Sequence, residues 1–386
     1  MAIAAPPGRS RADRLADAFR HVDLTLLVLP IALSLFGVVM IYDSSRGRLS
    51  RAGESTFAFA GRQGVAILLG LIAMAVVMAI DYRRIRDLWP VPYVITLPVL
   101  LAVLVLGRAS RGAQAWFQLG PLQFQPSEIA KIVVIVAVAG YCHQHRDDLD
   151  VWRLAVAGSL AAGAMVAVFL QRDLGTMLVI MVCGAAVLVV AGLKPVHIVA
   201  LLCCAATLVG AAVVTGRVHA YQLDRLRTFA NQSADATAPG QETPTQYNLK
   251  ASKSAIASGG LTGAGLFQGL QTKNGFVPEQ HTDFIFTAVG EDLGFLGAAT
   301  LLALYGLLAW RLWRVAMVSS DFFGTLVAVG VLAMLAIQVF ENVGMTMGIM
   351  PITGIPLPFL SYGGSAIIGA FLAVGLVQSV AMRRFG

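Results

Sequence analysis

Apolar runs dominate this chain and are separated by short polar breaks. Runs long enough to cross roughly 30 Å of hydrocarbon fall near residues 24–42, 57–80, 89–106, 126–142, 154–170, 174–193, 196–215, 284–310, 322–344 and 364–382. They predict ten transmembrane helices, and an even number places both termini on one side. Two intervals break the rhythm. Residues 216–283 make a long outer segment between the seventh and eighth runs. Residues 345–363 stay apolar yet carry Pro351, Pro356, Pro358 and several glycines, too many breakers for a helix. Irregular backbone at membrane depth survives only where protein or a wet cavity satisfies it. This segment is therefore expected to re-enter the protein and help wall a cavity, a compact structural cap being the alternative.

Composition agrees with the pattern. Of 386 residues, 57% are hydrophobic and only 13% charged, which excludes a soluble globular domain. The expected fold is an all-α polytopic membrane protein: a tail over 1–22, then one transmembrane domain over 23–386. Arg and Lys collect in the tail (Arg9, Arg11, Arg14, Arg20), in the loops around Arg83–Arg86, Arg146–Arg153, Lys194 and Arg311–Arg314, and at Arg383 and Arg384. Cations near the membrane mark the cytoplasmic side, so both termini of this multi-pass chain are expected inside. The net charge of +7 is mostly this topology signal and implies no nucleic-acid binding. The first run is followed by Asp43-Ser44-Ser45-Arg46, not a small-residue cleavage site, and reads as a retained span. Cys142, Cys183, Cys203 and Cys204 lie in or at the end of apolar runs, with no metal-type spacing.

A few polar groups sit where hydrocarbon should exclude them. Gln125-Pro126-Ser127-Glu128-Ile129-Ala130-Lys131 opens the fourth run, with Pro126 suited to the first helical position and Gln125 to the cap. Glu128 and Lys131, three apart, share a helix face and can pair. They either lock helices together or face a polar cavity and meet an anionic substrate. Asp173, in Gln171-Arg172-Asp173-Leu174-Gly175-Thr176, stands near a helix start and can cap it. Gly107 to Trp116 reads as an interfacial belt, and Asn231 to Thr245 as a mobile polar stretch. Arg225 and Arg227 are cations in the long outer segment, and Ser258-Gly259-Gly260 begins a glycine-rich stretch that permits close backbone approach to a ligand. The densest cluster is Pro278-Glu279-Gln280-His281-Thr282-Asp283, immediately before the eighth run. Asp283 is either a helix cap or a general base, with His281 and Glu279 as orienting or loop residues.

Five motifs in order give the chain a wider identity: Q-P-S-E-x-x-K (Gln125 to Lys131), Q-x-D-L-G-T (Gln171 to Thr176), S-G-G-L-x-G-x-G (Ser258 to Gly265), P-E-x-H-T-D-F-I-F (Pro278 to Phe286) and P-x-x-G-x-P-L-P-x-x-S-Y-G-G-S (Pro351 to Ser365). In these the chain resembles the SEDS family of cell-wall proteins, the RodA, FtsW and SpoVE group. Phe276-Val277-Pro278-Glu279-Gln280 is closer in wording to the elongation branch, RodA, than to the division branch, FtsW. Two residues depart from the family pattern: Arg172 stands where proline is usual, and Ala115 where a basic residue often precedes Trp116. The resemblance implies a ten-span glycosyltransferase that polymerises lipid II, works with a class B penicillin-binding protein among elongation-complex membrane proteins, and carries its catalytic aspartate at Asp283. Gln125, Glu128, Lys131, Asp173, Arg225, Arg227, Ser258, His281 and Ser361 are the expected substrate-binding residues. A divalent ion, magnesium or manganese, is allowed at the substrate diphosphate, and no metal cage is visible in the sequence. A lipid II transporter is the competing class, because intramembrane ions and broken helices also mark transport routes. A scaffold that only anchors partners is a third.

Overall fold

The computed structural model describes residues 21–110, 113–119, 122–194, 196–197, 225, 228–229 and 243–384. The expectations for the seventh run, Arg227, Cys203, Cys204 and nearly all of the tail lie outside these residues.

Nine of the ten predicted runs are helices. Asp23 accepts hydrogen bonds from the Thr25 and Leu26 amides and opens α1 (Leu24–Arg51). Next come α2 (Ala58–Ala79), the short α3 (Tyr82–Asp87) capped by Asp81, and α4 (Pro90–Leu106), whose first turn holds a proline. Pro126 takes the first position of α5 (Pro126–Gln144), and Asp150 and Asp173 cap α6 (Val151–Leu170) and α7 (Leu174–Ala191). The described part of the outer segment holds α8 (Pro244–Ser258), opened by a reciprocal Thr243/Gln246 capping box, and α9 (Leu270–Asn274). The last three helices are α10 (Ile285–Val318), α11 (Phe322–Met347) and α12 (Gly364–Met382). Among the described residues, eight of the twelve helices are long and apolar enough to cross a membrane, and α4 is a shorter apolar helix of 17 residues. Buried α12 forms the centre: it lies along α2 and also touches α5, α10 and α11, while α7 packs against α5, α6 and α11.

The structure departs from the sequence reading in four places. First, α1 runs past residue 42, because its last turns pack against α9 and α10. Asp43, Ser44 and Ser45 are buried there, and the serine hydroxyls donate to the Met40 and Ile41 carbonyls at 2.8 and 2.6 Å. Second, α11 continues to Met347 and takes the first residues expected to be re-entrant. Third, the interfacial belt expected near Trp116 is a three-stranded antiparallel sheet, β1 (Arg108–Ser110), β2 (Ala113–Leu119) and β3 (Leu122–Phe124), in spatial order β1-β2-β3. Fourth, Thr243 to Thr245, the end of the stretch expected to be mobile, form the capped start of α8, which packs on α10 and α11; residues 231–242 of that stretch lie outside the described residues.

The glycine-rich stretch also has a packing role. α10 kinks at Gly294 (φ 63°, ψ −163°), and a Cβ at Gly263 would lie 2.2 Å from the Asp292 carbonyl oxygen. Only glycines let these two backbones touch.

Candidate active site

The turn that carries Asp283 is fixed from three sides. The Thr282 and Asp283 amides donate to the Glu279 carbonyl at 3.2 and 3.1 Å, and Glu279 adopts a left-handed φ of 52°. α10 begins after Phe284, whose cap position has no side-chain hydrogen bond, so Asp283 is not the cap of that helix. Instead, the buried Asn342 amide on α11 donates to the Asp283 carbonyl and to the Ile355 carbonyl, both at 2.8 Å. One side chain thus joins the aspartate turn to the proline-rich segment. Gly354 completes the joint: its φ is 78°, and a Cβ there would lie 3.2 Å from Asp283 Oδ2. The carboxylate therefore rests against backbone that a larger residue would push away. On the other side, the buried His281 ring lies 4.5 Å from Phe59 and 5.6 Å from Tyr362, and the Tyr362 amide donates to the His281 carbonyl at 2.9 Å.

The stretch leading to this turn is held by two carboxylates of α10. Glu291 accepts from the Gln271 and Thr272 amides and the Thr272 hydroxyl at 2.7, 2.8 and 2.7 Å. Asp292 accepts from the Gly269 amide at 3.0 Å and, more weakly, the Phe267 amide at 3.4 Å. Gln280 then links the Thr272 and Thr287 hydroxyls at 2.9 and 3.0 Å. Carboxylates that saturate backbone donors in this way fix a glycine-rich loop that would otherwise gain entropy by opening.

Across the site, Lys131 Nζ donates to both oxygens of Glu128 at 2.9 and 2.8 Å, with the residues only 2% and 4% exposed. Asp173 caps α7 through the Thr176 amide at 2.9 Å, and its other oxygen accepts from Gln125 Nε2 at 3.0 Å. Gln125 does not cap α5 through its side chain; it bridges α5 to the start of α7. Its amide donates to Ser365 Oγ at 2.9 Å. Next to Asp173, Arg172 has a φ of 65°, which a proline ring cannot adopt. The backbone of this turn thus follows the departure already visible in the sequence. Arg225 donates to the Thr353 carbonyl at 3.1 Å, beside Gly354.

These elements enclose one cavity of about 750 Å³. Gln125, Glu128, Lys131, Asp173, Arg225, His281 and Asp283 all line it. Ser258 and Ser361 do not. Ser258 Oγ donates to the Ala255 carbonyl at 2.7 Å at the end of α8, while Ser361 Oγ accepts from the Leu357 amide at 2.9 Å and shapes the proline-rich segment. Arg227 lies outside the described residues. Thr353, Gly354, Ile355 and Pro356 of the proline-rich segment line the cavity. The sequence carries no sign of Asn342, for which an apolar helix offers no pattern, or of a site role for the cavity-lining Arg48 and Arg62. Among the described residues no group of three or more His, Cys, Asp or Glu is placed to hold a metal.

The family model FtsW/RodA/SpoVE, described as "Cell cycle protein", matches residues 23–385. The chain belongs to this family. It is 36% identical over 375 residues to the peptidoglycan glycosyltransferase MrdB of Escherichia coli, covering 94% of each chain. It is 35% identical to a probable peptidoglycan glycosyltransferase FtsW of Geobacter metallireducens, covering 94% of this chain and 96% of that one. Stage V sporulation protein E of Bacillus subtilis is 34% identical, covering 93% and 96%. Among solved structures, the chain resembles one from a peptidoglycan synthase complex in which polymerisation and crosslinking are coordinated, with TM-score 0.77, 33% identity and 94% of this chain covered. It also resembles the rod shape determining protein RodA of Thermus thermophilus, with TM-score 0.69, 31% identity and 95% covered.

Proposed function

We propose that this chain is a peptidoglycan glycosyltransferase that polymerises lipid II into β-1,4-linked glycan strands at the outer face of a bacterial inner membrane, with both termini cytoplasmic. The observation that carries this reading is the joining of Asp283, Lys131 and Arg225 in one cavity together with Arg48, Arg62 and Arg172. A carboxylate and several cations sharing one polar chamber suit a reaction that removes a proton and releases a diphosphate.

Lipid II carries its sugar α-linked to a diphosphate and the product is β-linked, so one inverting displacement suffices. The acceptor 4-hydroxyl passes its proton to an Asp283 carboxylate oxygen as its own oxygen attacks the donor anomeric carbon. The bond from that carbon to the phosphate oxygen breaks, and the electron pair leaves on the lipid diphosphate. This leaving group is already acidic, so it needs cations rather than a proton donor, and Lys131 and Arg225 supply them. Asn342 and Gly354 hold the base in place through the backbone and by leaving room for its carboxylate.

Identities of 36% and 35% to relatives from the two branches do not separate elongation from division. The Phe276 to Gln280 wording favours a role in elongation and cell shape, with a class B penicillin-binding protein as crosslinking partner. Purified chain in liposomes with labelled lipid II tests the reading. Glycan polymer is the expected product; lipid II moved across the bilayer without polymer would make the chain a transporter, and neither outcome would leave a scaffold.

A further inference from the structure

The cavity has two chemically different walls. One, from α1, α2, α5 and the Arg172 and Arg225 segments, carries the cations. The other is the small sheet, and four of its residues line the cavity without bringing charge: Ala115, Trp116, Gln118 and Gln123, the last three with side chains large enough to reach a ligand.

The register explains how they come together. Gln118 on β2 stands directly opposite Gln123 on β3, so both side chains rise on one face. Trp116 is two residues before Gln118 on the same strand and shares that face. The neighbouring pair, Phe117 opposite Phe124, belongs to the other face. The sheet is also anchored: Ser365 Oγ, at the start of α12, accepts from the Gln125 amide at 2.9 Å and donates to the Gln123 carbonyl at 3.3 Å. An aromatic ring and two opposed primary amides are thus presented to the cavity on a braced strand pair.

We propose that this face is the carbohydrate subsite, taking an N-acetylated hexopyranose of the substrate. The inference rests on the function proposed above. A pyranose has an apolar C–H face that packs on an aromatic ring, and its acetamido and hydroxyl groups need neutral donors and acceptors, which the two glutamines supply. A diphosphate needs cations, and the lining side chains Trp116, Gln118 and Gln123 bring none. The sheet therefore reads the sugar while the cationic wall holds the phosphate.

The test is binding of two ligands to the purified full-length chain in detergent: lipid II, and undecaprenyl diphosphate, which keeps the lipid and phosphates but has no sugar. Trp116→Ala is expected to weaken lipid II binding about 10-fold, a loss of ~1.4 kcal/mol, and to leave undecaprenyl diphosphate within about twofold. Trp116→Phe is expected to restore most of the lipid II affinity, and the Gln118→Ala/Gln123→Ala double variant to lower it with the same ligand selectivity. Equal weakening for both ligands would make Trp116 a structural or interfacial residue and overturn the proposal, as would unchanged lipid II binding in Trp116→Ala. Failure of the wild-type chain to bind lipid II at all would instead overturn the proposed function.

Discussion

Replacing Lys131 by methionine separates a structural ion pair from one that serves the substrate. Lys131 and Glu128 are nearly sealed from solvent, and both carboxylate oxygens accept from the ammonium at 2.8–2.9 Å. Lys131→Met leaves an uncompensated carboxylate on α5, a loss of about 3–5 kcal/mol. At about 2–4 °C per kcal/mol, generous for a chain this long, the apparent unfolding midpoint in detergent falls by roughly 6–20 °C at most. The double variant Glu128→Gln/Lys131→Met removes both charges, so most of the midpoint should return. Polymerisation separates the two roles. If Lys131 stabilises the leaving diphosphate, the double variant stays at least about 100-fold below wild type although it is folded. If the pair only locks helices, activity returns with stability. A double variant with a wild-type midpoint and near wild-type polymerisation would refute the assignment of Lys131 to the leaving group.

Three further outcomes follow from the geometry around Asp283. Gly354→Ala places a methyl group against the Asp283 carboxylate at a φ that costs a non-glycine residue about 1–2 kcal/mol; polymerisation should fall more than 10-fold with lipid II binding nearly intact, and unchanged turnover would show that the contact does not set the base. Asn342→Ala leaves the Asp283 and Ile355 carbonyls without their donor, at about 1–3 kcal/mol per buried acceptor, and should lower both the unfolding midpoint and turnover; a change in the midpoint alone would remove Asn342 from the positioning of Asp283. Glu291→Gln gives up charge-assisted bonds to three donors of the 271–272 turn, at about 1.5–3 kcal/mol for each charged bond lost. Faster hydrogen exchange over residues 265–275 is expected, and an unchanged exchange pattern would contradict the anchoring role.

Much of this was readable in the sequence because hydrocarbon is an unforgiving solvent. Apolar runs marked nine helices, although α1 and α10 continue to Arg51 and Val318, past the expected ends at 42 and 310, and the polar residues within and between the runs, Gln125, Glu128, Lys131, Asp173, Arg225, His281 and Asp283, share one cavity. What escaped the sequence is what depends on tertiary partners. Asp43 to Ser45 looked like a loop, yet α1 continues through them because α9 and α10 cover its end. The sheet over residues 108–124 is too short for a clear alternating pattern, so Trp116 looked like a membrane belt rather than a cavity wall. Asn342 acts through two backbone carbonyls, and no spacing rule announces that. Ser258 and Ser361 belong to the recurring motifs but serve backbone packing, which shows that a motif marks a fold requirement as readily as a contact with substrate.

Replacing Asp283 by asparagine tests the central claim most directly, because the shape is kept while the ability to take a proton is lost. The measurement is the initial rate of glycan formation from lipid II by purified wild type and Asp283→Asn, at matched lipid II occupancy and matched unfolding midpoint. A general base is worth about 10²–10⁴-fold, so the variant should make polymer at less than about 1% of the wild-type rate. A rate within about threefold of wild type would show that another group takes the proton, and the assignment of Asp283 would be wrong.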